Sequence, residues 1–383
     1  MKILRLIHSA NPQGGGPIMG ITLSTRLFIE RGHEVTLVSL DDPAKARDYK
    51  IPGDFIPIGP GKSSFGYCPN LDRWLSENLK HFDTVIIHGT WQYHGFATWR
   101  ATRCLGKEAP PYFVFTHGML DPWFKRAYPL KHLKKWLYWP WGEYRVLRDA
   151  RAVLFTSEEE KLLARESFWL YRANEQVVSY GTLAPAISEE DIKTIWSKLC
   201  PAKLTGPYLL FLGRLHIKKG LDLLISAYRD LKASGCQLPD LVIAGPEQDP
   251  TFAKEIKKQA ADDPQIHFIG MLSGNDKWAA LANADALILP SHQENFGIVV
   301  AESLAMGTPV LVSNKVNIWR EIDSDGAGFV AHDNLAGTKQ LLASFLDIPV
   351  EKKQAMRLAA KRSFESRFEL ERSIDELIGI ITP

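Results

Sequence analysis

Short apolar runs alternate with longer stretches of mixed polarity along the whole chain. The apolar runs have the length of buried strands, whereas the longer stretches repeat apolar residues at the spacing of amphipathic helices. In the first half of the chain we predict strands at KILRLIH, EVTLVSL, TVIIHG, YFVFTHG, AVLFTS and QVVSYG. In the second half we predict strands at YLLFLGR, LVIAG, IHFIG, ALILPS, PVLVSN and GFVAH. Strands that alternate with helices in this way are typical of parallel α/β sheets.

The two sets of strands are separated by the stretch TLAPAISEEDIKTIWSKLCPAKLTGP, which has three prolines and no predicted strand. A chain of 383 residues is also longer than one hydrophobic core usually supports. We therefore predict an α/β fold of two Rossmann-like, doubly wound parallel-sheet domains that face a cleft. The first domain covers residues 1–185, the linker 186–206 and the second domain 207–365. The charged helical residues 366–383 are a candidate to return to the first domain.

Composition and charge narrow the class of protein. The chain is 45% hydrophobic and 23% charged, with a net charge of +2, which does not favour nucleic acid as a partner. The start, MKILRLIHSA, is a brief apolar run interrupted by Arg5, so it predicts a strand rather than a signal peptide. Since no C-x-x-C pair occurs, we expect no zinc site or disulfide framework, and a cytoplasmic location. The cysteines are Cys68, Cys104, Cys200 and Cys236.

A glycine-rich loop follows the first predicted strand. In HSANPQGGGPIMG, Gly14, Gly15 and Gly16 allow close backbone approach, and the helix that begins behind them favours an anion. Asp41 and Asp42 end the second strand, as in nicotinamide-binding folds, but the loop does not fit G-x-G-x-x-G. We therefore predict a ligand-binding loop and no bound dinucleotide, with a merely flexible loop as the alternative.

A basic turn follows the strand YLLFL in the second half. The segment FLGRLHIKKG places Arg214, Lys218 and Lys219 between a strand end and the next helix. Arginine can chelate two phosphate oxygens and lysine acts as a point charge, so this position suits a diphosphate. The alternative is an ordinary solvated basic turn.

Two acids bracket a glycine in SHQENFGIVVAES, directly after the strand DALILP. Glu294 lies in the loop where ligands of parallel sheets bind, and Glu302 lies two turns into the following helix. The amides around Gly297 offer an anion site at the helix start. Carboxylates accept hydrogen bonds from sugar hydroxyls, so the pattern predicts a ligand with hydroxyls at both ends and phosphates between, such as a nucleotide sugar. Alternatively, the acids are a helix-start residue and a solvated helix position.

Together these motifs resemble the retaining glycosyltransferases of family 4, also called glycosyl transferases group 1, of the bacterial polysaccharide-biosynthesis type. The matching elements are the glycine loop, THG, GRLHIKKG, the E-x7-E run ENFGIVVAE and SLAMGTPVLVSN. The resemblance implies the two-domain GT-B arrangement, with an N-terminal acceptor domain and a C-terminal donor domain. One departure is SYGT at residues 179–182, where the family usually has a Pro-Asn-Gly turn.

Carried to this sequence, the resemblance assigns roles to particular residues. Arg214 and Lys219 would hold the donor diphosphate. Glu294 would bind hydroxyls of the transferred sugar, and Glu302 would bind the ribose. His117, in VFTHGML, would contact the transferred sugar, although a lone histidine at a strand end is often only a satisfied polar residue. The resemblance also implies a contact between the backbone of Met271 and the base of the donor. The other implied donor contacts are Gly15, Gly16, Asn295, Phe296, Gly297 and Ile298.

The resemblance also implies the reaction. It would be metal-independent transfer of a hexose with retention, from a nucleoside-diphosphate sugar to a saccharide or lipid-linked acceptor, with no cofactor. Asp41 and Asp42, a close acid pair in these loops, lack the D-x-D spacing of metal clusters, and Arg214 and Lys219 can neutralise the leaving diphosphate. We favour a UDP-sugar such as UDP-glucose, with GDP-mannose as the second choice. The competing functions are a sugar-nucleotide epimerase, a nicotinamide-dependent oxidoreductase and a non-catalytic carbohydrate-binding protein.

A basic, aromatic segment occupies residues 123–148, WFKRAYPLKHLKKWLYWPWGEYRVLR. It has seven basic residues against the single acid Glu143, interleaved with tryptophan and tyrosine. Such a segment suits the anionic inner face of a plasma membrane, on which the protein would be peripheral. The alternative is a basic helix whose tryptophans pack in the core. RNA is a weaker possibility, because no RNA-binding motif is present.

Overall fold

Both halves of the chain form a parallel sheet, as the alternation of apolar runs and amphipathic stretches predicts. The structure is a computed structural model that describes residues 1–12, 15–204 and 206–382. It divides into unit 1, which is Met1–Tyr180 with the residues from Leu370 onward, and unit 2, which is Gly181–Glu369. The predicted class of two doubly wound α/β sheets is confirmed.

Unit 1 contains a seven-stranded sheet in the order β3-β2-β1-β4-β5-β6-β7. All neighbouring strands are parallel. The strands are β1 (Lys2–Ile7), β2 (Glu34–Ser39), β3 (Asp54–Pro57), β4 (Thr84–His88), β5 (Tyr112–Phe115), β6 (Ala152–Phe155) and β7 (Glu175–Val177). Strand β3 was not predicted, because it is short, ends in proline and lies at the sheet edge, where proline is tolerated.

Helices cover the sheet of unit 1. Side chains of the central strands, such as Ile87 and Val114, share a buried cluster with Leu75, Ala97 and Val146 from three of these helices. The helices are α1 (Gly16–Glu30), α2 (Pro69–Asn78), α3 (Tyr93–Leu105), α4 (Trp123–Ala127), α5 (Pro129–Tyr138), α6 (Glu143–Asp149) and α7 (Glu158–Ala164).

Unit 2 contains a six-stranded parallel sheet in the order β10-β9-β8-β11-β12-β13. Its strands are β8 (Tyr208–Leu212), β9 (Asp240–Ala244), β10 (Ile266–Gly270), β11 (Ala286–Leu289), β12 (Val310–Ser313) and β13 (Gly328–Ala331). Its helices are α8 (Glu189–Leu199), α9 (Leu221–Ala233), α10 (Pro250–Ala260), α11 (Gly274–Asn283), α12 (Ile298–Ala305), α13 (Trp319–Asp325), α14 (Leu335–Leu346) and α15 (Val350–Ser363).

The strand order reverses once in each sheet. The reversal lies between β1 and β4 in unit 1 and between β8 and β11 in unit 2. The loops that leave the carboxyl ends of two such strands diverge to opposite sides, and the crevice between them is where ligands bind in this class of sheet. The candidate site of each unit is therefore expected at these loops.

The predicted linker at 186–206 contains helix α8, which belongs to unit 2. Ser188 caps the helix by accepting the N–H of Asp191 at 3.0 Å, and acidic residues fill the first turn. Ile192 and Trp196 are buried, and the Trp196 ring stacks on Tyr208 at 4.8 Å. The prolines of this stretch flank the helix and do not interrupt it.

Helix α16 (Leu370–Ile381) belongs to unit 1, although unit 2 precedes it in the chain. It packs on α1, with Ile374 and Leu377 buried. The guanidinium of Arg31, at the end of α1, bonds the carboxylate of Asp375 at 2.6 Å.

Candidate active site

Two loops meet at the point of strand reversal in unit 2, after β8 and after β11. Gly220 ends the first loop in the left-handed conformation, with φ 65°, and a Cβ atom there would overlap the carbonyl oxygen of Pro290. The N–H of His292 donates to the carbonyl oxygen of Lys218 at 2.8 Å. Glycine at position 220 is therefore required for the two loops to touch.

This contact brings Lys219 and Glu294 together as an ion pair. Both side chains are largely buried, at 13% and 19% exposure. Burial, and then the positive charges of Arg214 and Lys218, lower the pKa of Lys219 to about 7. The Glu294 carboxylate opposes that shift, because an opposite charge favours the ammonium form. Arg214 is exposed at the edge of the pair.

The backbone of Glu294 is fixed by the loop after β12. Its N–H donates to the carbonyl oxygen of Lys315 at 2.9 Å, and its carbonyl oxygen accepts the N–H of Asn317 at 3.1 Å. The side chain of Asn317 also donates to Oδ1 of the predicted donor contact Asn295, at 3.3 Å. Glu294 is thus held between two loops before any ligand arrives.

The predicted turn at 296–298 is a tight entry into helix α12. Phe296 is buried and packs edge-on against Phe368 with ring centroids 5.8 Å apart. Gly297 has φ 71° and caps the helix, and a Cβ there would lie 3.1 Å from Cγ of Glu294. The N–H of Val300 bonds the carbonyl oxygen of Gly297 at 2.7 Å, and the N–H groups of Ile298 and Val299 at the start of the helix favour an anion.

Glu302 lies inside α12 and is not a solvated helix position, since it is only 4% exposed. Its Oε1 accepts a bond from Nζ of Lys277, on α11, at 2.5 Å. Burial raises the pKa of Glu302, and Lys277 opposes the increase. Sequence reasoning missed Lys277, because a lone lysine on a helix carries no motif.

Met271 follows β10, two strands away from β8 in the sheet, which corresponds to about 10 Å. Its side chain is 69% exposed. The predicted contact was with its backbone, which lies at the same edge of the sheet as the Arg214 loop.

The glycine loop in unit 1 is described only in part. Gly14 lies outside the described residues, whereas Gly15 caps α1 with φ 91° and Gly16 begins the helix. A Cβ at Gly15 would meet nothing within 4 Å, so the loop leaves open space there. The carboxylate of Asp41 accepts the Ser9 hydroxyl and the Ala10 N–H, both at 2.6 Å. This aspartate therefore fixes the loop after β1.

His117 lies two residues beyond the end of β5 in unit 1 and is in the left-handed conformation, with φ 48°. Its Nε2 lies 3.1 Å from Nδ1 of His88, and Nε of Arg5 donates to Nε2 of His88 at 3.1 Å. Since arginine only donates, His88 carries its proton on Nδ1 and gives it to Nε2 of His117. Neutral His117 therefore carries its own proton on Nδ1.

Burial and the Arg5 charge lower the pKa of His117 to about 4. The ring is therefore neutral at pH 7 and offers one N–H donor. Arg5 is itself anchored by the hydroxyls of Ser24 and Thr25, at 2.8 and 2.9 Å. One signal of this chain of bonds is visible in the sequence, the charged Arg5 within the apolar run KILRLIH, which we interpreted only as an argument against a signal peptide.

Glu160 on α7 holds the loop that carries His117. One carboxylate oxygen accepts the Thr116 hydroxyl and the Gly118 N–H, both at 2.6 Å. The other accepts the N–H and the hydroxyl of Thr156, both at 2.7 Å. The residues on either side of His117 are thus pinned by one buried carboxylate.

The basic, aromatic segment 123–148 forms α4, α5 and α6 in unit 1. Trp139 is fully buried, as the core interpretation predicts, but Trp141 is 70% exposed. No residue of α5 is buried. We define the α5 apolar face as its large exposed side chains, Leu130, Leu133, Trp136 and Leu137.

Two family models match the chain. Residues 194–363 match the model described as Glycosyl transferases group 1, and residues 15–181 match the Glycosyl transferase 4-like domain. A GDP-mannose-dependent alpha-(1-6)-phosphatidylinositol dimannoside mannosyltransferase from Mycobacterium tuberculosis is 36% identical over 339 residues, which are 85% of this chain and 82% of that protein. A glycogen synthase from the same species is 32% identical over 160 residues, which are 41% of this chain and 38% of that protein. The chain thus spans less than two-fifths of that synthase.

Solved structures share the fold over nearly the whole chain. A glycosyltransferase from Rickettsia africae has a TM-score of 0.76 at 18% identity, covering 99% of this chain and 97% of the other. Anabaena HepE, in complex with UDP and glucose, has a TM-score of 0.75 at 16% identity, covering 99% and 98%.

Proposed function

Because the chain belongs to the glycosyl transferases group 1 family, as its motifs predict, we propose that it transfers a hexose from a nucleoside-diphosphate sugar, with retention and without a metal ion. The acceptor is a saccharide or a lipid-linked saccharide. The observation that carries this proposal is the buried Lys219–Glu294 pair at the strand reversal of unit 2, with Arg214 beside it. A carboxylate that can accept hydrogen bonds from sugar hydroxyls lies there beside cations that can donate hydrogen bonds to a diphosphate.

In the proposed reaction, the bond from the anomeric carbon to the phosphate oxygen breaks as the bond to the acceptor oxygen forms on the same face. The acceptor's proton passes to the departing phosphate oxygen. Arg214, Lys219 and the amides at the start of α12 stabilise the charge that develops on the leaving diphosphate. Glu294 holds hydroxyls of the transferred sugar, and Glu302 holds the ribose.

His117 acts in this scheme as a neutral hydrogen-bond donor to the transferred sugar. Its Nε2 is occupied by His88, and its Nδ1 carries the proton. Because its pKa is lowered to about 4, it neither gains nor loses a proton at neutral pH. Its contribution is orientation, supported by Arg5 through His88.

For the donor we propose UDP-glucose or a related UDP-hexose. A second candidate is GDP-mannose, which is favoured by the 36% identity to a GDP-mannose-dependent mannosyltransferase over 85% of this chain.

We also propose that the α5 apolar face rests on an anionic membrane surface. The face is bordered by lysines, and the segment's single acid, Glu143, is buried. No helix among the described residues is long and apolar enough to cross a membrane. Peripheral contact would use exposed leucine and tryptophan with basic neighbours.

The test of the donor assignment is thermal unfolding with a panel of nucleoside diphosphates, their sugars and NAD. We expect one nucleoside diphosphate to raise the Tm and NAD to leave it unchanged, since only a ligand of the folded state stabilises. Product analysis by NMR then separates transfer with retention from isomerisation. A panel with no stabilising diphosphate, or a product with inverted configuration, would contradict the proposal.

A further inference from the structure

A cavity of about 50 Å³ lies against α5 in unit 1. Its lining includes Lys131, His132 and Lys135 of α5, with the aromatic rings of Phe124 and Phe168. One water needs roughly 10 to 15 Å³ of such space, so the cavity has room for a few waters or one oxyanion but not for a sugar ring.

Lys135 supplies positive charge to this cavity without a carboxylate partner. Its Nζ lies 4.5 Å from the centre of the Trp91 ring and 5.7 Å from that of Phe124. Within the part of the chain that the structure describes, it forms no ion pair with an acid. Burial lowers the pKa of Lys135 to about 8, so the ammonium form still dominates at pH 7.

Two acids lie near the cavity, and each accepts a backbone N–H. Glu143 accepts the N–H of Trp91 at 2.7 Å, and burial raises its pKa to about 7, so it compensates Lys135 only in part. Asp121 also lines the cavity, but its Oδ1 accepts the N–H of Trp123 at 2.7 Å.

The cavity shares a wall with the loop that carries His117. Met119 lines it and lies two residues beyond that histidine. The Met119 N–H donates to the carbonyl oxygen of Thr116 at 3.0 Å, and its own carbonyl oxygen accepts Nε1–H of Trp91 at 3.2 Å. A group held in the cavity is thereby fixed relative to His117.

We propose that this cavity binds a phosphate group of the acceptor, with Lys135 and Lys131 as its cationic partners. The inference rests on the proposed function and adds the chemical class of the acceptor. Lys131 and Lys135 are one turn apart on α5, and Leu133 and Leu137 are one turn apart on its exposed side. The phosphate therefore belongs either to a lipid head group, whose chain lies along the α5 apolar face, or to a soluble sugar phosphate.

The test is ³¹P NMR titration of inorganic phosphate in the presence of excess UDP, which occupies the site in unit 2. Lys135→Gln and Lys131→Gln are compared with Lys134→Gln, a matched control on the same helix that is exposed. We expect the ³¹P resonance of phosphate to broaden when the wild-type protein or Lys134→Gln is added. Binding should weaken about tenfold in Lys135→Gln, because a charge-assisted hydrogen bond is lost. Unchanged melting shows that the variants fold.

The UDP resonances in the same spectra report separately on the proposed function. If UDP binds and phosphate does not, or if all variants bind phosphate equally, the cavity inference is wrong while the donor site stands. If phosphate binds as expected and UDP does not, the donor assignment fails instead.

Two competitors identify the source of the phosphate. Vesicles of phosphatidylcholine with phosphatidic acid should displace inorganic phosphate if the acceptor is a lipid, and phosphatidylcholine alone should not. Displacement by glucose 1-phosphate alone indicates a soluble acceptor. Either pattern supports the site. If neither competitor displaces inorganic phosphate, the cavity does not accept a phosphate ester, and the proposal is contradicted.

Discussion

The two basic regions of this protein hold their cations in opposite ways. In unit 2, Lys219 pairs with Glu294 and Lys277 pairs with Glu302, each across two elements. In segment 123–148 of unit 1, lysines lie over aromatic rings, as Lys131 does over Tyr128 at 5.0 Å. Carboxylate pairs fix loop geometry before a ligand arrives, whereas an aromatic face leaves most of the cation's charge uncompensated. The first arrangement suits precise positioning, and the second suits attraction of an anionic partner.

The largest expected effect is the loss of a paired cation. Lys219→Ala should lower donor-dependent turnover about 100-fold or more, because one group that stabilises the leaving charge typically contributes about 3 kcal/mol to the barrier. Initial rates at saturating donor are the measurement. Lys257→Ala, which removes an exposed cation paired with Glu247 in the same unit, is the control and should be unaffected.

A wild-type rate in Lys219→Ala, with unchanged melting, would mean that the pair serves only to hold the two loops. The Lys219–Glu294 pair would then differ from the lysines of segment 123–148 in its structural role, and not by taking part in the reaction.

The uncompensated cations should show a smaller effect, on membrane affinity and not on donor hydrolysis. Replacing Lys131 and Lys134 together by Gln should lower partitioning onto anionic vesicles about thirtyfold, since each basic group near such a surface contributes about 1 kcal/mol. Co-sedimentation is the measurement, and donor hydrolysis should persist. The exposed pair Lys80 and Lys107, also replaced by Gln, is the control.

Equal sedimentation of the two double variants would contradict a membrane role for α5. Absence of wild-type sedimentation would do the same.

The two acids of unit 2 should differ by about tenfold in their effect on ligands. Glu302→Gln should weaken binding of the bare nucleoside diphosphate, because it removes a charged acceptor of ribose hydroxyls. Glu294→Gln should mainly weaken the intact sugar nucleotide, since the change leaves Lys219 free to meet the diphosphate. Titration calorimetry with both ligands measures the difference, and equal losses for both ligands in both variants would contradict the assignment.

The smallest effect concerns pH. The pKa of Lys219 is lowered to about 7 by burial and by Arg214 and Lys218, so its ammonium is present below pH 7 and is lost as the pH rises. We expect kcat/KM for the donor to fall about fivefold from pH 7 to pH 8. Lys219→Arg, which keeps its charge, should flatten that fall. A wild-type profile that is flat over this range would show that Glu294 keeps Lys219 protonated.

The fold was predictable because strands and helices leave local patterns. The predicted strands are all present, and among the residues that the structure describes one further strand, the short edge strand β3, was missed. The site of unit 2 was predictable for the same reason, since its residues lie in two short segments that directly follow β8 and β11.

Contacts between residues far apart in sequence were not predictable. Lys277 meets Glu302 across 25 residues, and Arg5 meets His88 across 83. Glu160 meets the loop of His117 across 42 residues. Lys277, Arg5 and Glu160 belong to no short motif, and each acquires its role from the fold that brings it to its partner.

Helix α16 can complete unit 1 only after unit 2 has been synthesised. The face of α1 that it covers stays exposed until residues 181–369 have been made, which takes roughly ten to forty seconds at the usual rate of translation. Unit 2 is contiguous in the chain, whereas unit 1 is made of two separate stretches. The surface that a chaperone must protect in the nascent protein is therefore the apolar side of α1, until Ile374 and Leu377 emerge to bury it.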